Sequence, residues 1–539
     1  MSAVTINDVL EGHVAMELSC VDRLYLNAYV PNLQVGGQVV QFLVSHRGNP
    51  VPSPALFEQN GNRFRKAVKD FATQWEIPIL RLKKPDRSRF DDRKLDHVRP
   101  YLETAEREGR FGVVAIVSAQ ESQWVFGAKN RSDKAGTGAV WFEFVKEERK
   151  IGVYYFYLLD RDFGPGFIKI CTYFPYPAKV WCNGHEWAKR QATKAGIAYT
   201  ALANGFATCA DPAGLQAICN SFGSADIQRF FDHWSGVIPS PFTPADRAAG
   251  YWWELSMRQV EVSETLVFDD PRRARSFFEA LVADNVGIGR PESVSMVFAR
   301  QVRTTTKEPF VGRIFSPGTE VHMDFAYKHS RVKQYLKEGR ALRTETVINK
   351  PWDLNILARI EHLPELVDKA RQVNARLLMI ERAGQGCAIG SALFERIHQP
   401  YVREGQRTGA LRFGDPRAMA LAGALCLMVH AVTGFTNKGL RGRVAGLLSA
   451  DYSANQMSYD LRRLRLHGLI ERIPGTNTYT TTPEGIRVAV FFTKLQRRLL
   501  EPLLAADRPP APPEVRSALA TIDRAVKEYV ANARLGKAA

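Results

Sequence analysis

The chain has 539 residues, which suggests about three or four domains with several full cores. Hydrophobic residues make up 45% and charged residues 24%, an ordinary globular composition that excludes a disordered chain, a collagen or a coiled-coil rod. The 73 Lys and Arg against 56 Asp and Glu give a net charge of +17. Such an excess favours a polyanionic partner, with nucleic acid ahead of an anionic membrane surface.

Cysteine usage and hydropathy together predict a cytoplasmic protein. The seven cysteines are scattered and form no Cys-x-x-Cys pair, as in reduced cytosolic proteins and unlike zinc fingers or disulfide frameworks. The N-terminus lacks a basic segment followed by an apolar run, so no secretory signal is expected. The richest apolar run, residues 418–432, is shorter than the roughly 18 residues of a membrane span, and we expect no membrane partner.

The first 300 residues predict a multidomain α/β (or α+β) protein. Residues 1–110 form a basic α/β segment, and residues 111–300 an α/β core module with a mixed sheet. Four apolar or aromatic runs predict its strands, at 111–118, 141–145, 153–159 and 167–173. Asn183-Gly184 predicts a turn before a helix over 186–195, and a further helix is expected over 271–284.

Residues 301–415 predict a basic segment that mixes strands and helices. Its expected elements are a strand over 321–327, helices over 330–340 and 363–380, and a glycine-rich joint at 384–390. At the other end of the chain, residues 505–539 hold a proline-rich linker and an amphipathic tail helix. The narrow apolar seam of that helix predicts self-association through residues 515–530.

Between these regions, residues 416–504 predict three helices, two short strands and a last helix. Ser453 is expected to cap the third helix, and Gly468 to end it in the left-handed conformation. Thr482 and Pro483 form a cap and first-turn pair that opens the last helix. Loops and caps of this kind fix where each element begins and ends.

In this order of elements, residues 418–504 resemble a winged helix-turn-helix domain of bacterial DNA-binding proteins. The resemblance implies a C-terminal module whose third helix enters the major groove of DNA. The contact residues expected on that helix are Asn455, Ser458, Tyr459, Arg462, Arg463 and Arg465. Elsewhere, the segments 155–165 and 183–191 resemble only uncharacterised bacterial proteins, which implies no activity.

Acidic residues near the end of an aromatic run suggest a metal site. Asp160 and Asp162 lie two residues apart, and such side chains point the same way on a strand, where they could share Mg²⁺ or Mn²⁺. We predict them as metal ligands, with Glu186 and Glu261 as further catalytic carboxylates of a nuclease or another phosphoryl-transfer enzyme. The alternative is a turn in which Arg161 and loop amides neutralise both aspartates.

The densest run of cations, residues 327–343, interleaves basic and tyrosine side chains. This pattern suits a sugar-phosphate backbone with stacked bases, and the alternative is a solvated basic helix. The expected nucleic-acid contacts are Lys328, Arg331, Lys333 and Lys337.

These features favour a nucleic-acid-binding protein, with DNA as the expected partner. In this hypothesis the winged helix docks on DNA and the N-terminal module carries out metal-dependent DNA processing. One alternative is a non-catalytic regulator whose N-terminal region binds a ligand or a protein partner. Another is an enzyme that acts on a small anionic substrate and uses the winged helix only for packing.

Overall fold

A computed structural model describes most of the chain and divides it into two compact units. The described ranges are 12–82, 92–131, 142–284, 312–315, 322–384, 390–403, 405–427 and 435–495, with scattered helical residues between 517 and 528. The first unit comprises residues 1–290 and 304–377, and the second comprises residues 291–303 and 378–539. The protein has the predicted mixed α/β fold, in which both helices and a large mixed sheet are present.

The first unit is built on one large sheet. Its described strands are β1 (Val14–Tyr29), β2 (Ile79–Arg81), β3 (Gly112–Asn130), β4 (Phe142–Asp160), β5 (Gly164–Cys171), β6 (Ala178–Asn183), β7 (Tyr199–Leu202), β8 (Gly205–Cys209), β9 (Glu254–Phe268), β10 (Gly312–Phe315), β11 (His322–Tyr327), β12 (Ser330–Lys337) and β13 (Ala341–Ile348). Eleven of these join in the order β10-β11-β12-β13-β9-β1-β6-β5-β4-β3-β2, and β7 and β8 form a separate hairpin. Neighbouring strands of the sheet are antiparallel except β2 and β3, which are parallel.

Helices pack against both faces of this sheet. They are α1 (Gly36–Gln41), α2 (Ala55–Gln74), α3 (Asp92–Arg107), α4 (Gly184–Lys194), α5 (Pro212–Ser221), α6 (Ser224–Val237), α7 (Pro244–Ala248), α8 (Pro271–Asp284) and α9 (Leu363–Gly384). The main core packs sheet residues such as Leu24 and Val180 against helical residues such as Phe64 and Trp187. A smaller core on the other face packs Val98 of α3 against β3 and β4.

Two irregularities in the pairing of β1 with β9 bear on the site described below. At the first, β1 places two residues, Asp22 and Arg23, opposite the single residue Glu261. At the second, β9 contributes one additional residue, Arg258, between two consecutive pairs. Such β-bulges bend a strand and redirect side chains, so both irregularities change which residues reach a given face.

The second unit carries a helical core and two short hairpins. Its described elements are α10 (Ser391–His398), β14 (Tyr401–Arg403), β15 (Gln406–Thr408), α11 (Pro416–Leu427), α12 (Asn437–Leu448), α13 (Ala454–Leu466), β16 (Ile470–Arg472), β17 (Tyr479–Thr481) and α14 (Pro483–Leu495). Its core joins Leu421 of α11, Val444 of α12, Leu461 of α13 and Phe492 of α14. The order of helices and strands after residue 416 is therefore the predicted one.

The predicted end signals of the second unit are confirmed. Ser453 Oγ accepts a hydrogen bond from the Gln456 amide at 3.2 Å at the start of α13, and Gly468 follows the helix with φ of 76°. Thr482 Oγ1 accepts from the Gly485 amide at 3.0 Å at the start of α14. Local hydrogen bonds thus fix these boundaries, as the sequence indicated.

Several predicted boundaries are wrong. The strands expected at 141–145 and 153–159 are parts of the single strand β4. The helix expected over 330–340 is the strand β12. Cations four residues apart, such as Lys333 and Lys337, share a face on a helix and on a strand alike. Their spacing therefore does not distinguish a helix from a strand. Strands from either side of positions 110 and 300 lie in the same sheet, so these positions do not separate structural units.

Several predictions fall partly or wholly outside the described residues. They include the end of the first helix of the 416–504 segment, most of the glycine-rich joint, the proline-rich linker and most of the tail helix. Within the described ranges, no helix combines the length and the apolar character needed to cross a bilayer.

Candidate functional site

Three buried acids converge where β1, β9 and β13 adjoin, and we call Asp22, Glu261 and Glu345 the acid group. One carboxylate oxygen from each lies within 4.8 Å of those of the other two. Asp22 is fully buried, while Glu261 and Glu345 keep 5% and 6% of their surface exposed. Glu345 pairs across the ladder with Ser263, and Glu261 precedes Ser263 by two positions, so these side chains share one face of the sheet.

Arg343 bridges two members of the acid group. Its Nη2 donates to Asp22 Oδ2 at 2.6 Å, and its Nε lies 2.8 Å from Glu345 Oε1. Burial alone would raise the pKa of Asp22, but the attraction of Arg343, together with smaller contributions from His185, Glu345 and Arg23, holds that pKa below its ordinary range. Burial raises the pKa of Glu261 and, helped by the charge of Asp22, that of Glu345. The acid group therefore holds one firmly ionised carboxylate and two that retain protons more readily.

His185 lies beside this arrangement at the start of α4. Asn183 Oδ1 accepts a hydrogen bond from the His185 amide at 2.9 Å, so the predicted Asn-Gly turn does open a helix. His185 Nε2 lies 2.8 Å from Arg343 Nη2 and 2.9 Å from Ser263 Oγ. Because a guanidinium can only donate, Nε2 accepts here, which assigns the ring proton to Nδ1. Burial and the charge of Arg343 lower the pKa of His185, so the ring is neutral.

The solvent side of the acid group carries polar and basic residues. Tyr335 OH donates to Glu345 Oε1 at 2.8 Å, and Gln259 Nε2 donates to Glu261 Oε1 at 2.6 Å. Arg23 Nε lies 3.8 Å from Asp22 Oδ1, and its side chain is 51% exposed. Three converging oxygen donors suit a hard divalent cation, but Arg343 already engages two of the carboxylates. A cation would have to displace at least one contact of Arg343.

The predicted metal ligands Asp160 and Asp162 do not join the acid group. Asp160 Oδ1 accepts from the amides of Asp162 and Phe163 at 2.7 and 2.8 Å, and its Oδ2 accepts from Trp234 Nε1 at 2.8 Å. Asp162 pairs with Lys194. Because β4 ends at Asp160, the alternation behind the predicted pairing does not reach Asp162. The loop amides of the alternative do bind Asp160, but the cation that pairs with Asp162 is Lys194, whereas the Arg161 guanidinium lies 5.3 Å from the centroid of the Phe111 ring.

Of the four predicted catalytic acids, only Glu261 lies in the acid group. Glu186 instead receives a hydrogen bond from Lys189 at 2.7 Å on the surface of α4. Sequence reasoning missed the role of Asp22, because its position depends on a bulge. It also assigned no role to Arg343, although Arg343 and Glu345 alternate in a strand-like manner that could have placed both on one face.

The basic run of residues 327–343 forms β12 and β13 with the turns around them. Arg331, Lys333 and Tyr335 pair with Val347, Glu345 and Arg343 in turn, so they lie on the same face as the acid group. Burial and the charge of Arg343 lower the pKa of Lys337. Lys328 lies in the turn before β12, with φ of 50°. The cations are thus distributed over a sheet face and a turn.

In the second unit, α13 presents a polar row to solvent. Asn455, Ser458, Tyr459 and Arg462 are exposed, as their predicted role requires. Ser458 Oγ accepts a hydrogen bond from Asn437 Nδ2 at 2.9 Å, which ties the row to α12. The exposed row lies on the side of α13 opposite to the buried residues of its core face.

Arg463 departs from the expected contact residues of α13. Its side chain is buried, its Nε donates to the Gly409 carbonyl at 3.2 Å, and its Nη1 donates to Asp460 Oδ1 at 3.4 Å. Asp460 is itself fully buried and also accepts from Arg417 Nε at 2.8 Å. Arg463 therefore belongs to the interior of the second unit, and we omit it from the exposed row.

Arg465 lies in a pocket beside the β16–β17 hairpin, which we call the arginine pocket. The pocket has a volume of about 890 Å³, and its arginines are Arg396, Arg403, Arg465 and Arg472. Glu471 and Glu484 also line it, and Glu484 pairs with Arg396, so arginines outnumber acids around the space. Sequence reasoning found only Arg465 in this pocket, because Arg396 and Arg403 come from an earlier segment and Arg472 lies in the hairpin.

No protein-family model, curated protein sequence or solved structure matches the chain. Its function therefore has to be inferred from its own residues and their contacts. Two features are candidate functional sites. One is the acid group with Arg343 in the first unit, and the other is the exposed row of α13 with its neighbouring arginine pocket in the second.

Proposed function

We propose that the chain binds duplex DNA through residues 416–495, in the manner of a winged helix-turn-helix domain, with α13 in the major groove. The observation that carries the proposal is the row of Asn455, Ser458, Tyr459 and Arg462, which is exposed along one side of α13. A helix of about 10–12 Å diameter fits a major groove about 12 Å wide. The buried opposite side of α13 fixes the direction in which this row points.

The order of elements supports the proposal. Three helices precede a two-stranded hairpin and a last helix, and Phe435, just before α12, adds a further bridge to the hairpin. Its amide donates to the Tyr479 carbonyl at 2.7 Å, and the Tyr479 amide donates back at 2.8 Å. This bridge anchors the hairpin beside the helices, where it would contact the DNA backbone next to the groove.

The chemistry of the exposed side chains also supports DNA as the ligand. Asparagine and serine can contact base edges, whereas arginine and tyrosine can contact phosphates or bases. The arginine pocket supplies further cations beside the hairpin. Binding through such contacts releases counterions, so we expect the affinity to fall steeply as salt rises.

The test uses the full chain and a fluorescent duplex of about 20 base pairs, a length that spans about two turns. Fluorescence anisotropy at low salt should show binding that weakens at least about tenfold in the double variant N455A/R462Q. The matched control is Arg229→Gln, which removes an exposed arginine from α6 of the first unit and should leave affinity unchanged. Equal affinities of N455A/R462Q and the wild type, with both folded, would overturn the proposal.

A second candidate function is metal-dependent phosphodiester chemistry at the acid group. The observation that favours it is the convergence of three carboxylate oxygens within 4.8 Å, a donor set that suits Mg²⁺ or Mn²⁺. Because burial raises the pKa of Glu261, a bound cation would compete with a proton there and should bind better as pH rises.

Thermal unfolding with and without Mn²⁺ tests this second candidate. A ligand that binds only the folded state raises the melting temperature, so the wild type should gain several degrees. Glu261→Gln should lose that gain, whereas Glu264→Gln, three residues further along β9, should keep it. An identical Mn²⁺ response in the wild type and Glu261→Gln, or no response at all, would exclude the cation site.

A further inference from the structure

Aromatic and basic side chains from four adjacent strands lie together on one face of the large sheet. Tyr25 of β1 pairs with Trp181 of β6, which pairs in turn with Phe167 of β5. Lys179 of β6 pairs with Lys169 of β5 two positions away on the same side. Because side chains alternate along a strand, their immediate neighbours point to the opposite face, into the main core. We call Tyr25, Phe167, Lys169, Lys179, Trp181 and Arg258 the aromatic-cation face.

The aromatic rings of this face are stacked but not fully covered. The rings of Phe167 and Trp181 are nearly parallel, at 8°, with centroids 5.9 Å apart. Tyr25 meets Phe167 edge to face, with centroids 6.1 Å apart. All three side chains stay partly accessible to solvent. Partly accessible rings on a sheet offer π surfaces on which unpaired bases can stack.

Cations lie directly against these rings. Lys179 Nζ is 5.2 Å from the centroid of the Tyr25 ring, and the Arg258 guanidinium is 5.6 Å from the same centroid. Arg258 is the additional residue of the second β1–β9 bulge, and its side chain is exposed. The bulge therefore brings a second cation, beside Lys179, over the Tyr25 ring.

The charges of the aromatic-cation face are incompletely balanced. Lys169 pairs with Glu121 at 2.5 Å, whereas no carboxylate of the described residues lies within ion-pair distance of Lys179 or Arg258. Burial, together with the charges of Lys169 and Arg258, lowers the pKa of Lys179 to about 7, although Glu121 and the Cys171 thiol act in the opposite direction. An anion placed between Lys179 and Arg258 would offset the repulsion between these two cations and favour the charged form of the lysine.

We propose that the aromatic-cation face binds a single-stranded nucleic acid. Its bases stack on Tyr25 and Trp181, and its phosphates contact Lys179 and Arg258. A single strand is the occupant because the bases of a duplex are already stacked on one another and cannot reach a flat sheet face. The combination of accessible rings with unbalanced cations matches both parts of a nucleotide, the flat base and its phosphate. This site lies in the first unit and does not depend on the proposed binding of duplex DNA by α13.

The test measures anisotropy of the full chain with fluorescent oligo(dT) and oligo(U) of about 15 nucleotides, the length range of such sites. Both should bind at low salt, and tighter binding of one of them identifies DNA or RNA as the preferred strand. The variant K179Q/R258Q should bind at least about tenfold more weakly, because two phosphate contacts are lost. Its affinity for duplex DNA should stay unchanged, whereas N455A/R462Q should show the reverse pattern.

A single variant and a crosslinking experiment test the proposal even if the double variant does not fold. Arg258 is exposed, so Arg258→Gln folds even if replacement of Lys179 does not, and it should weaken binding of single strands by about threefold or more. Ultraviolet crosslinking of the bound oligonucleotide should label the peptides that contain Tyr25 or Trp181. Wild-type affinity in Arg258→Gln, or no binding of either oligonucleotide at low salt, would overturn the proposal while leaving the duplex proposal standing.

Discussion

Arg343 Nη2 donates a hydrogen bond to Asp22 Oδ2 at 2.6 Å, and both side chains are completely buried. The two residues lie on β13 and β1, which flank β9 and do not pair with each other. The ion pair therefore crosses over the central strand of this part of the sheet. It also orders the acid group, because the same guanidinium lies 2.8 Å from Glu345.

Removal of Arg343 should strongly destabilise the first unit. Arg343→Met leaves Asp22 and Glu345 buried without their counterion, and breaking a buried pair in this way costs about 3–5 kcal/mol. Urea unfolding at neutral pH measures the loss. Arg272→Met is the control, since Arg272 is exposed and, among the residues that the structure describes, forms an ion pair with Asp270 alone. It should change stability by less than about 0.5 kcal/mol. Equal losses in the two variants would show that the buried pair is not a major stabilising contact.

The pH dependence of stability should carry a contribution from Glu264. Burial and the neighbouring Glu17 raise its pKa from an ordinary 4.5 to about 7. The folded state then binds more protons than the unfolded state between these values, so stability falls as pH rises through that window. Relative to Glu264→Gln, which cannot ionise, the wild type should be progressively less stable from about pH 5 to pH 8.

Thermal unfolding of both proteins at several pH values measures this difference. Glu108→Gln is the control, because Glu108 is exposed and pairs with the neighbouring Arg110. Its difference from the wild type should stay nearly constant over the same range. A constant difference for Glu264→Gln as well would contradict the raised pKa.

Asp160 and Asp162 should differ sharply in their effect on stability. Asp160→Ala leaves the buried Trp234 indole without its acceptor, and an unsatisfied buried donor costs about 1–3 kcal/mol. Asp162→Ala removes only an exposed pair with Lys194, worth about 0–1 kcal/mol. Chemical denaturation distinguishes the two variants. An equal or larger loss for Asp162→Ala would contradict the different roles assigned to the two residues.

The sequence predicted those helix ends that are fixed by hydrogen bonds between residues close together in the chain. The Asn183 cap of α4 and the Ser453 cap of α13 each bond to a backbone amide within three residues, so the residue pattern alone placed them. Gly468 is a similar case, since a residue without a Cβ atom adopts the left-handed conformation at no steric cost. The same kind of signal located the exposed row of α13.

The acid group depends on contacts that no local pattern contains. Asp22 and Arg343 are separated by 321 positions, and the bulge that places Asp22 opposite Glu261 follows from the pairing of whole strands. The helix expected at 330–340 failed for the same reason. Its residues form β12 because β11 and β13 pair with it on both sides, and such tertiary pairing overrides local preference.

The Lys179 amine should be unusually weakly basic and therefore reactive near neutral pH. With a pKa of about 7, its amine is mostly neutral and nucleophilic at pH 8, whereas an ordinary lysine with a pKa near 10.4 is almost entirely protonated there. Its acylation rate should therefore rise through about pH 7 and then level off, a profile that depends on ionisation and not on accessibility. Pulse labelling with acetic anhydride, read by mass spectrometry, measures the rate, with exposed Lys150 as the reference for an accessible side chain. Saturating oligonucleotide should slow the labelling of Lys179 and move its profile to higher pH, because a nearby phosphate favours the charged amine. A rate that still rises steadily above pH 9 in the free protein would show that burial and the neighbouring cations do not lower the pKa of Lys179.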